Sequence, residues 1–575
     1  MRDRRLLLRL LLGLAALVVF AAVILRQPTR EEPPTVVKPP PPAPSECVKD
    51  PAPVPAPTAA DGRPLSFIHT CGGRLFDSDG REVRITGINW FGAETGTFAP
   101  HGLWSRNWEG ILDQISQWGY NAIRLPISNE VLIPGQMPQG INYQQNPDLQ
   151  GLTSLEVLDA IVKGAGERGL KVVLDRHRPT SAGQSDLWYT EEVSEEQWIS
   201  DWVMLASRYA GDDTVIGVDL HNEPKGAATW GTGDPATDWR LAAERAGNAV
   251  LDANPYLLII VQGIEQYNGD WYWWGGNLMG AREHPVNLKL PGRLVYSAHD
   301  YGPGVYRQGW FDAPDFPRNL PRVWRDHWAY LQEEGIAPVL LGEFGGRSLE
   351  ETDDEGVWQR SLLEYLHKTG VSYFTWSLNP NSGDTGGLLN DDWLNVVTEK
   401  YQVYRSYLAP PLSVPQEGAT PARPDRIEVL YRASERAPRT NNVSFALQLV
   451  DHTGESIDLR RVEVRYWFSH GSRSGQPVAE VDYAALGEKV VKTEVVAAGR
   501  GGQDHYLRIT FQGEDAVLQG YKSTGDILLR IHADDWSEYD QSNDYSFWPE
   551  ASGYRTSERI TVYIDGALVW GREPQ

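Results

Sequence analysis

Eight apolar segments spaced along the middle of the chain constrain its fold more than any other feature. Most of the eight are rich in β-branched residues, which favours strands. Most of the stretches between them have the periodicity of amphipathic helices, as in "SLEVLDAIVKGAGERG" and "DWRLAAERAGNAVLDAN". Eight strands alternating with helices predict a (β/α)8 TIM barrel. The segments are residues 83–90, 121–127, 171–177, 215–221, 256–264, 294–301, 338–345 and 371–377.

Almost every one of these segments ends on polar or aromatic residues. An unpaired charge at the end of an apolar strand is costly, which argues against a pure packing role for a residue such as Glu223. In a TIM barrel the C-terminal strand ends line the active site, so these side chains are expected to converge on one cleft. They are Asn89, Trp90, Arg124, His177, Asn222, Glu223, Gln262, His299, Asp300, Tyr301, Glu343 and Trp376.

The flanking sequence predicts an exported protein with two folded units. Basic residues precede an apolar run, 10–25, which at about 1.5 Å per residue is shorter than the hydrocarbon core of about 30 Å. Residues 1–26 are therefore expected to be a signal peptide or a signal anchor, and both readings stay open. Proline-rich sequence predicts linkers at 27–64 and 409–425, which would leave the units energetically independent. The barrel would occupy 65–408, and a second unit 426–575.

Composition excludes some partners and favours others. The chain has 53 Lys and Arg against 77 Asp and Glu, a formal charge of −24, which disfavours nucleic acid. Its 22 Trp outnumber its 13 Phe, which suggests flat faces suited to sugar rings. Only Cys47 and Cys71 occur, and sequence leaves open whether they are bridged. No metal-ligand spacing is present, so we expect no cofactor for catalysis.

Two glutamates stand at the C-terminal ends of two predicted strands, across the mouth of the barrel from one another. Glu223 follows the fourth segment and Glu343 ends the seventh, in the glycine-flanked "LLGEFGG". Glycoside hydrolysis needs such a pair, because one carboxyl protonates the leaving oxygen while the other attacks or activates water. Arg124 and His299 are expected to supply positive charge and hydrogen bonds that keep one carboxylate ionised while the other keeps its proton.

Several motifs, in order, resemble the endo-β-1,4-glucanases of glycoside hydrolase family 5: "NAIRLP", "VVLDRHRP", "HNEP", "SAHDY", "LGEFG" and "WSLNPNSGDTGG". The resemblance covers roughly residues 80 to 408. It implies that Glu223 is the acid/base and Glu343 the nucleophile of a retaining mechanism. It places Arg124, His177, Asn222, His299, Tyr301 and Trp376 around the sugar at the cleavage point. It also makes Trp90, Trp273, Trp274 and Tyr306 candidate sugar platforms.

The last unit contains short alternating strands such as "RVEVRYWF" and "HYLRITF", which predict a β-sandwich. Residues 425 to 574 resemble a family 3 carbohydrate-binding module, through "VDYAALG", "DDWSEYDQSNDYSF" and "VYIDGALVWGREP". The resemblance implies a flat cellulose-binding strip of Asp482, Tyr483, Arg530 and Trp536. It also implies a structural calcium held by Asp540, Asn543 and Asp544, since oxygen ligands suit a hard cation.

The leading hypothesis is an exported cellulase in which a retaining, endo-acting barrel is joined to a cellulose-binding module. Its partners would be cellulose and related β-1,4-glucans, and it would touch the membrane only through the N-terminal segment. We expect a monomer, either secreted or anchored outside the cell. Two alternatives stay open: a mannanase or xyloglucanase on the same barrel, and an inactive surface protein that binds polysaccharide.

Overall fold

The structure, a computed structural model, describes residues 58, 65–412, 427–451, 456–471, 475–500, 502–520 and 522–574. The predicted segment 1–26 and most of both predicted linkers lie outside the described residues. Within the described ranges, no helix combines the length and the apolar character needed to cross a membrane.

Eight parallel strands close into a barrel in chain order, with the eighth paired to the first. This confirms the predicted fold class, and each strand falls within its predicted segment or extends one residue beyond it. Almost every strand residue is buried, either inside the barrel or against the helices, and the apolar ones, among them Ile88, Val172 and Leu341, lie in the core. The strands are β1 (Thr86–Asn89), β2 (Ala122–Ser128), β3 (Lys171–Arg178), β4 (Val215–Asp219), β5 (Leu258–Gln262), β6 (Leu294–His299), β7 (Val339–Phe344) and β8 (Ser372–Thr375).

Helices cover the outside of the barrel with their apolar faces turned inward. Four of them begin at a side chain that caps a free backbone N–H group, as at Thr153, which forms a capping box with Glu156. The helices are α1 (Trp108–Gln117), α2 (Ser154–Glu167), α3 (Glu195–Arg208), α4 (Trp239–Ala253), α5 (Leu320–Trp324), α6 (Tyr330–Glu333), α7 (Asp354–Thr369) and α8 (Thr398–Tyr404), with a π-helical turn, Arg325–Ala329, between α5 and α6.

The connection from β5 to β6 departs from the strand-helix alternation. It contains a small hairpin, Gln266–Tyr267 paired with Asp270–Trp271, and a short 3-10 turn, Met279–Arg282. Because the connection is not a long helix, its aromatic side chains can stand at the C-terminal rim of the barrel, above the strand ends.

The opposite end of the barrel is closed by the N-terminal part of the described chain. Short antiparallel strands, His69–Cys71, Arg74–Phe76 and Glu82–Val83, place Ile68 and Leu75 against the apolar residues inside the barrel. Cys71 is disulfide-bonded, and Cys47, the only other cysteine in the sequence, lies outside the described residues. With this end closed, the strand ends at the other rim are the accessible ones.

The C-terminal unit is a sandwich of two five-stranded antiparallel sheets around its own apolar core, which confirms the predicted β-sandwich. The strands are β9 (Ile427–Ala433), β10 (Val443–Asp451), β11 (Val462–Phe468), β12 (Pro477–Ala484), β13 (Val491–Arg500), β14 (Gln503–Phe511), β15 (Ile527–Ala533), β16 (Arg555–Thr556), β17 (Ile560–Ile564) and β18 (Ala567–Trp570). One sheet has the order β12-β15-β10-β9-β16, and the other β13-β14-β11-β17-β18.

Polar contacts join the barrel to the sandwich. Glu109 at the start of α1 forms an ion pair with Arg555 of β16 at 2.9 Å, and both side chains are largely buried. Asn395 Oδ1 accepts a hydrogen bond from the backbone N–H of Ser523 at 2.9 Å. Lys522 Nζ donates to a barrel carbonyl at 3.0 Å. The two units are therefore in direct polar contact and are not connected through the linker alone. Their energetic independence stays a prediction.

The beginning of the second predicted linker also belongs to the barrel. The backbone N–H of Ala409 donates to Thr86 Oγ1 at 2.9 Å, and the carbonyl of Pro410 accepts from Asn121 Nδ2 at 3.0 Å. Leu412 packs against the apolar core at the closed end. Residues 409–412 are thus fixed to the barrel, while the remainder of that predicted linker lies outside the described residues.

Candidate active site

Glu343, near the end of β7, is held by one donor from β2 and one from the segment that follows β6. Arg124 Nη1, from β2, lies 2.7 Å from Glu343 Oε1, and the hydroxyl of Tyr301, beyond β6, donates to Oε2 at 2.6 Å. The preceding residue is glycine because a Cβ on Gly342 would lie 2.9 Å from Nε2 of His299. The two oxygens of Glu343 are thereby fixed in direction, as a nucleophile requires.

Glu223 lies just beyond β4 with its backbone in the left-handed region, at φ 53°. Its N–H donates to Gln262 Oε1 at 2.8 Å, which stabilises this uncommon conformation for a residue with a side chain. Gly275 packs so closely that a Cβ there would lie 3.1 Å from the Cα of Glu223. The strained backbone turns the carboxyl group into the cleft, and its burial raises the pKa of Glu223.

The two carboxyl groups face each other across His299. One carboxylate oxygen of Glu223 lies within 4.8 Å of one of Glu343. His299 Nδ1 stands 3.0 Å from Glu223 Oε1 and 3.6 Å from Glu343 Oε2. Burial lowers the pKa of His299 to about 4, so the ring is uncharged near neutrality. It contributes a hydrogen bond there rather than the positive charge that the sequence led us to expect.

Arg124 is shared among more acids than the sequence suggested. Its guanidinium contacts Asp219 Oδ2 at 2.9 Å and Asp175 Oδ1 at 3.1 Å in addition to Glu343. Burial raises the pKa of Asp175 to about 7 and that of Asp219 to about 6. Sequence reasoning missed both aspartates. The available clue was an acid inside each apolar strand, and in β3 that acid stands two residues before His177, on the same face.

The remaining predicted residues surround this pair. His177 Nδ1 lies 2.6 Å from Asp175 Oδ2, and burial lowers the pKa of His177 to about 3. Asn222 Oδ1 accepts from Arg124 Nη2 at 3.0 Å, which orients its amide towards His177. The ring of Trp376 stacks on His177 with a centroid distance of 5.5 Å. Together with the two glutamates, the structure brings all eight predicted catalytic and supporting residues to one place.

A cleft of about 920 Å³ opens above the two glutamates. Trp273, Trp274 and Tyr306 line it, as predicted for sugar platforms, and Trp274 and Tyr306 are 46% and 64% exposed. The fourth candidate, Trp90, is wrong: it is 0% exposed, and its Nε1 donates to the backbone carbonyl of His101. Sequence reasoning missed Trp271 of the hairpin, which lines the same cleft and is 58% exposed.

The four residues predicted to form the cellulose-binding strip stand together at the edge of one sheet of the sandwich. Arg530 of β15 pairs with Asp482 of β12 at 3.2 Å and also with Glu480. Trp536 stacks on His532 at 4.1 Å with 7° between the rings. Tyr483 is 47% exposed and Trp536 50%. Glu480 and His532, which the sequence analysis missed, hold the charged and aromatic members flat.

The residues predicted to bind calcium lie in or beside one short turn, Gln541–Asn543: Asp540 precedes it, Asn543 is its last residue and Asp544 follows it. Asp544 is buried, and its Oδ1 accepts from the backbone N–H of Ser469 at 2.8 Å. The carboxylate of Asp540 accepts from the backbone of Ser542, and the carbonyl of Asn543 accepts from Gln503. All of these acceptor atoms are oxygens, the type of metal ligand that a hard cation prefers.

Known proteins match both units. Residues 76–382 match the family described as Cellulase (glycosyl hydrolase family 5), and residues 428–571 match the cellulose binding domain. An endoglucanase of Paenibacillus polymyxa is 51% identical over 359 residues, which cover 62% of this chain and 90% of that protein. The major extracellular endoglucanase of Xanthomonas campestris pv. campestris is 44% identical, covering 60% of this chain and 72% of that protein.

Solved structures agree with these matches. The hyperthermophilic endocellulase from the archaeon Pyrococcus horikoshii has a TM-score of 0.58 at 41% identity, covering 61% of this chain and 100% of that one. A TIM barrel of this kind, with two facing carboxyl groups in an aromatic cleft, defines a glycoside hydrolase. The chain belongs to glycosyl hydrolase family 5, and it is an endoglucanase that carries a cellulose-binding domain.

Two groups of three titratable residues in the site have ligand atoms close enough together to hold a metal ion. They are Asp175, His177 and Glu343, and Glu223, His299 and Glu343. Both trios contain Glu343, whose Oε1 is bonded to the guanidinium of Arg124, and a second cation beside that group would be repelled. We read both trios as parts of the hydrogen-bonded catalytic network. Cellulases of this family need no cofactor for catalysis.

Proposed function

We propose that this endoglucanase hydrolyses internal β-1,4-glucosidic bonds of cellulose with retention of configuration. The observation that carries the proposal is the separation of the two carboxyl groups, whose nearest ligand oxygens lie within 4.8 Å of each other. Retaining enzymes place these groups at about 5 to 5.5 Å, whereas inverting enzymes leave room for a water. The endocellulase of Pyrococcus horikoshii, 41% identical, has been crystallised with cellotetraose, which supports a β-glucan substrate here.

In the first step, Glu343 attacks the anomeric carbon while Glu223 gives its proton to the leaving glycosidic oxygen. The carbon–oxygen bond to the leaving sugar breaks, and an ester between Glu343 and the retained sugar forms. Arg124 and Tyr301, each bonded to one oxygen of Glu343, keep the attacking carboxylate aimed at the sugar. Burial raises the pKa of Glu223, so Glu223 can still hold the proton that this step consumes.

In the second step, the ionised Glu223 takes a proton from a water, whose oxygen attacks the same carbon. The ester bond breaks, Glu343 leaves as a carboxylate, and Glu223 regains its proton. Activity should therefore follow a bell-shaped pH profile whose alkaline limb reports loss of the proton from Glu223.

The remaining features are proposed to bring the enzyme to its substrate. The N-terminal segment 1–26 directs export, either as a cleaved signal peptide or as a retained anchor, so the enzyme acts outside the cell. We expect it to act as a monomer. The flat strip of the sandwich binds crystalline cellulose, because its aromatic rings and paired charges complement a row of glucose rings. Asp540, Asn543 and Asp544 hold a structural calcium that supports the sandwich.

Replacing Glu223 by alanine tests the assignment of the acid/base. Glu223→Ala should slow hydrolysis of cello-oligosaccharides far more than that of activated aryl cellobiosides, which leave without protonation. Added azide should restore turnover. Asp384→Ala, which removes another carboxylate lining the cleft, is the matched control and should create no such dependence on the leaving group. Equal losses on both substrates without azide rescue, or inverted product configuration by NMR, would refute the mechanism.

Substrate preference is tested separately. Turnover of soluble cellulose, mannan and xyloglucan should be measured for the parent enzyme and for Glu343→Gln. We expect the highest kcat/KM on the cellulose derivative, and loss of all activity in the variant. Higher activity on mannan or xyloglucan would move the assignment to that polysaccharide.

A further inference from the structure

A chain of polar contacts runs from Glu223 to the aromatic wall of the cleft. Gln184 Nε2 donates to Glu223 Oε2 at 3.2 Å. Lys225 Nζ donates to Gln184 Oε1 at 2.8 Å, and the same ammonium lies 4.0 Å from the ring centroid of Trp274. The three residues come from the loops that follow β3, β4 and β5, so three successive strand ends of the barrel meet at this chain.

The direction of these contacts fixes the amide of Gln184. A lysine ammonium only donates hydrogen bonds, so the atom of Gln184 that faces Lys225 must be the carbonyl oxygen. The NH2 group of Gln184 is then left facing Glu223, where it can donate to a carboxylate oxygen. Lys225 thus determines which end of the amide meets the acid/base.

Lys225 is itself held from several sides. Burial lowers the pKa of Lys225, while Glu223, Asp186 and Glu265 oppose that change. Glu265 also accepts a hydrogen bond from Nε1 of Trp274 at 3.0 Å. The ring of Trp274 is therefore anchored at its nitrogen and covered on one side by the ammonium, in a cation–π contact. Its exposed surface belongs to the cleft.

We propose that Gln184 and Lys225 are positioning residues that hold the carboxyl group of Glu223 for proton transfer and join it to the sugar platform Trp274. The proposal rests on the assignment of Glu223 as the acid/base. Gln184 acts through its hydrogen bond to Oε2, while His299 Nδ1 occupies the other oxygen, so both oxygens of Glu223 are bonded. Lys225 acts through Gln184 and through its charge.

The chain of contacts from Glu223 through Gln184 and Lys225 to Trp274 is called the relay below. The charge of Lys225 gives the relay an effect on the pH profile that packing alone would not produce. Among the charges acting on Glu223, that of Lys225 most strongly opposes the rise of the pKa caused by burial. Removing this charge should raise the pKa of Glu223 further, so the proton is retained to higher pH. The other titratable or charged groups facing Glu223 from neighbouring strands are Arg124, Asp175, His177, His299, Tyr301 and Glu343.

Two substitutions separate charge from positioning. Lys225→Met keeps much of the aliphatic stem and removes the ammonium; its alkaline limb of kcat/KM should move to higher pH. Gln184→Ala should lower kcat/KM on cello-oligosaccharides by about tenfold, the effect of losing a hydrogen bond to a charged group. It should change turnover of activated aryl cellobiosides much less. Lys163→Met, at a 79% exposed side chain on α2, is the control and should leave both quantities unchanged.

The experiment uses the full chain, with thermal unfolding and circular dichroism to verify that each variant is folded. A folded Lys225→Met whose pH profile superimposes on that of the parent would overturn the relay, as would equal losses of Gln184→Ala on both substrate types. Glu223→Ala is measured alongside. If it lacks dependence on the leaving group, the proposed function fails; if it shows that dependence while Lys225→Met moves nothing, only the relay fails.

Discussion

Removing the exposed tryptophan of the sandwich should weaken binding to crystalline cellulose by a calculable amount. Trp536 is 50% exposed and already ordered by its stacking on His532. A tryptophan side chain offers about 200 Å² of surface, so about 100 Å² is available to the polysaccharide. At about 25 cal/mol per Å², its loss in Trp536→Ala costs about 2.5 kcal/mol, or about 60-fold in affinity.

A second substitution, Arg530→Ala, is combined with Trp536→Ala in a double variant. It removes the charge that keeps the strip flat. Arg530 pairs with both Asp482 and Glu480, so Arg530→Ala leaves two like charges side by side on the surface. The double variant should not bind microcrystalline cellulose under conditions in which the parent enzyme binds. Turnover of soluble substrate should be nearly unchanged, because none of these residues lines the catalytic cleft.

Binding is measured by depletion isotherms on microcrystalline cellulose, with activity on a soluble cellulose derivative measured in parallel. Leu568→Ala is the matched control, since it shortens a 46% exposed apolar side chain on the other sheet. Unchanged partition of the double variant, or an equal loss in Leu568→Ala, would show that the strip is not the binding face.

Two further results are expected. Asp300 is buried against Tyr272 and Trp358, and burial raises its pKa to about 7. Between about pH 4 and 7 the folded protein therefore binds a proton at Asp300 that the unfolded chain does not bind. The folded state loses stability as the pH rises through that window. Asp300→Asn should therefore become less destabilising relative to the parent from pH 5 to 8, by up to about 1.4 kcal/mol per pH unit in denaturant titrations, and a constant difference would contradict this. Chelation with EDTA should lower the unfolding temperature and calcium should restore it, by binding linkage; an unchanged melting curve would argue against the calcium site.

The barrel could be predicted from the sequence because its evidence is local and repeated. Each strand is a short apolar run bounded by polar residues, and the helices between them have their own period. The active-site residues followed from one topological rule, which gathers the C-terminal ends of parallel strands at one rim. A second rule, the alternation of side chains between the two faces of a strand, could have excluded Trp90 as a sugar platform. Asn89 points into the barrel, donating to the carbonyl of Gly342, so its neighbour must point the other way.

The contacts that the sequence did not predict depend on loops and on packing between distant segments. Gln184 and Lys225 stand in loops whose conformations are decided by what they pack against, so no periodicity marks them. His532 is an ordinary strand residue until Trp536 folds back over it. The junction between Glu109 and Arg555 joins residues separated by most of the chain, and a proline-rich stretch before the sandwich gave no indication of it.

That junction limits how freely the two domains could be exchanged with those of other cellulases. A foreign module placed after this barrel would need a cation opposite Glu109 and a backbone N–H within reach of Asn395 Oδ1. Without them, a carboxylate and an amide oxygen would lose partners while staying partly covered, which is unfavourable. Chimaeras of this enzyme should therefore be designed with α1, the segment around Asn395, and β16 transferred together as one unit.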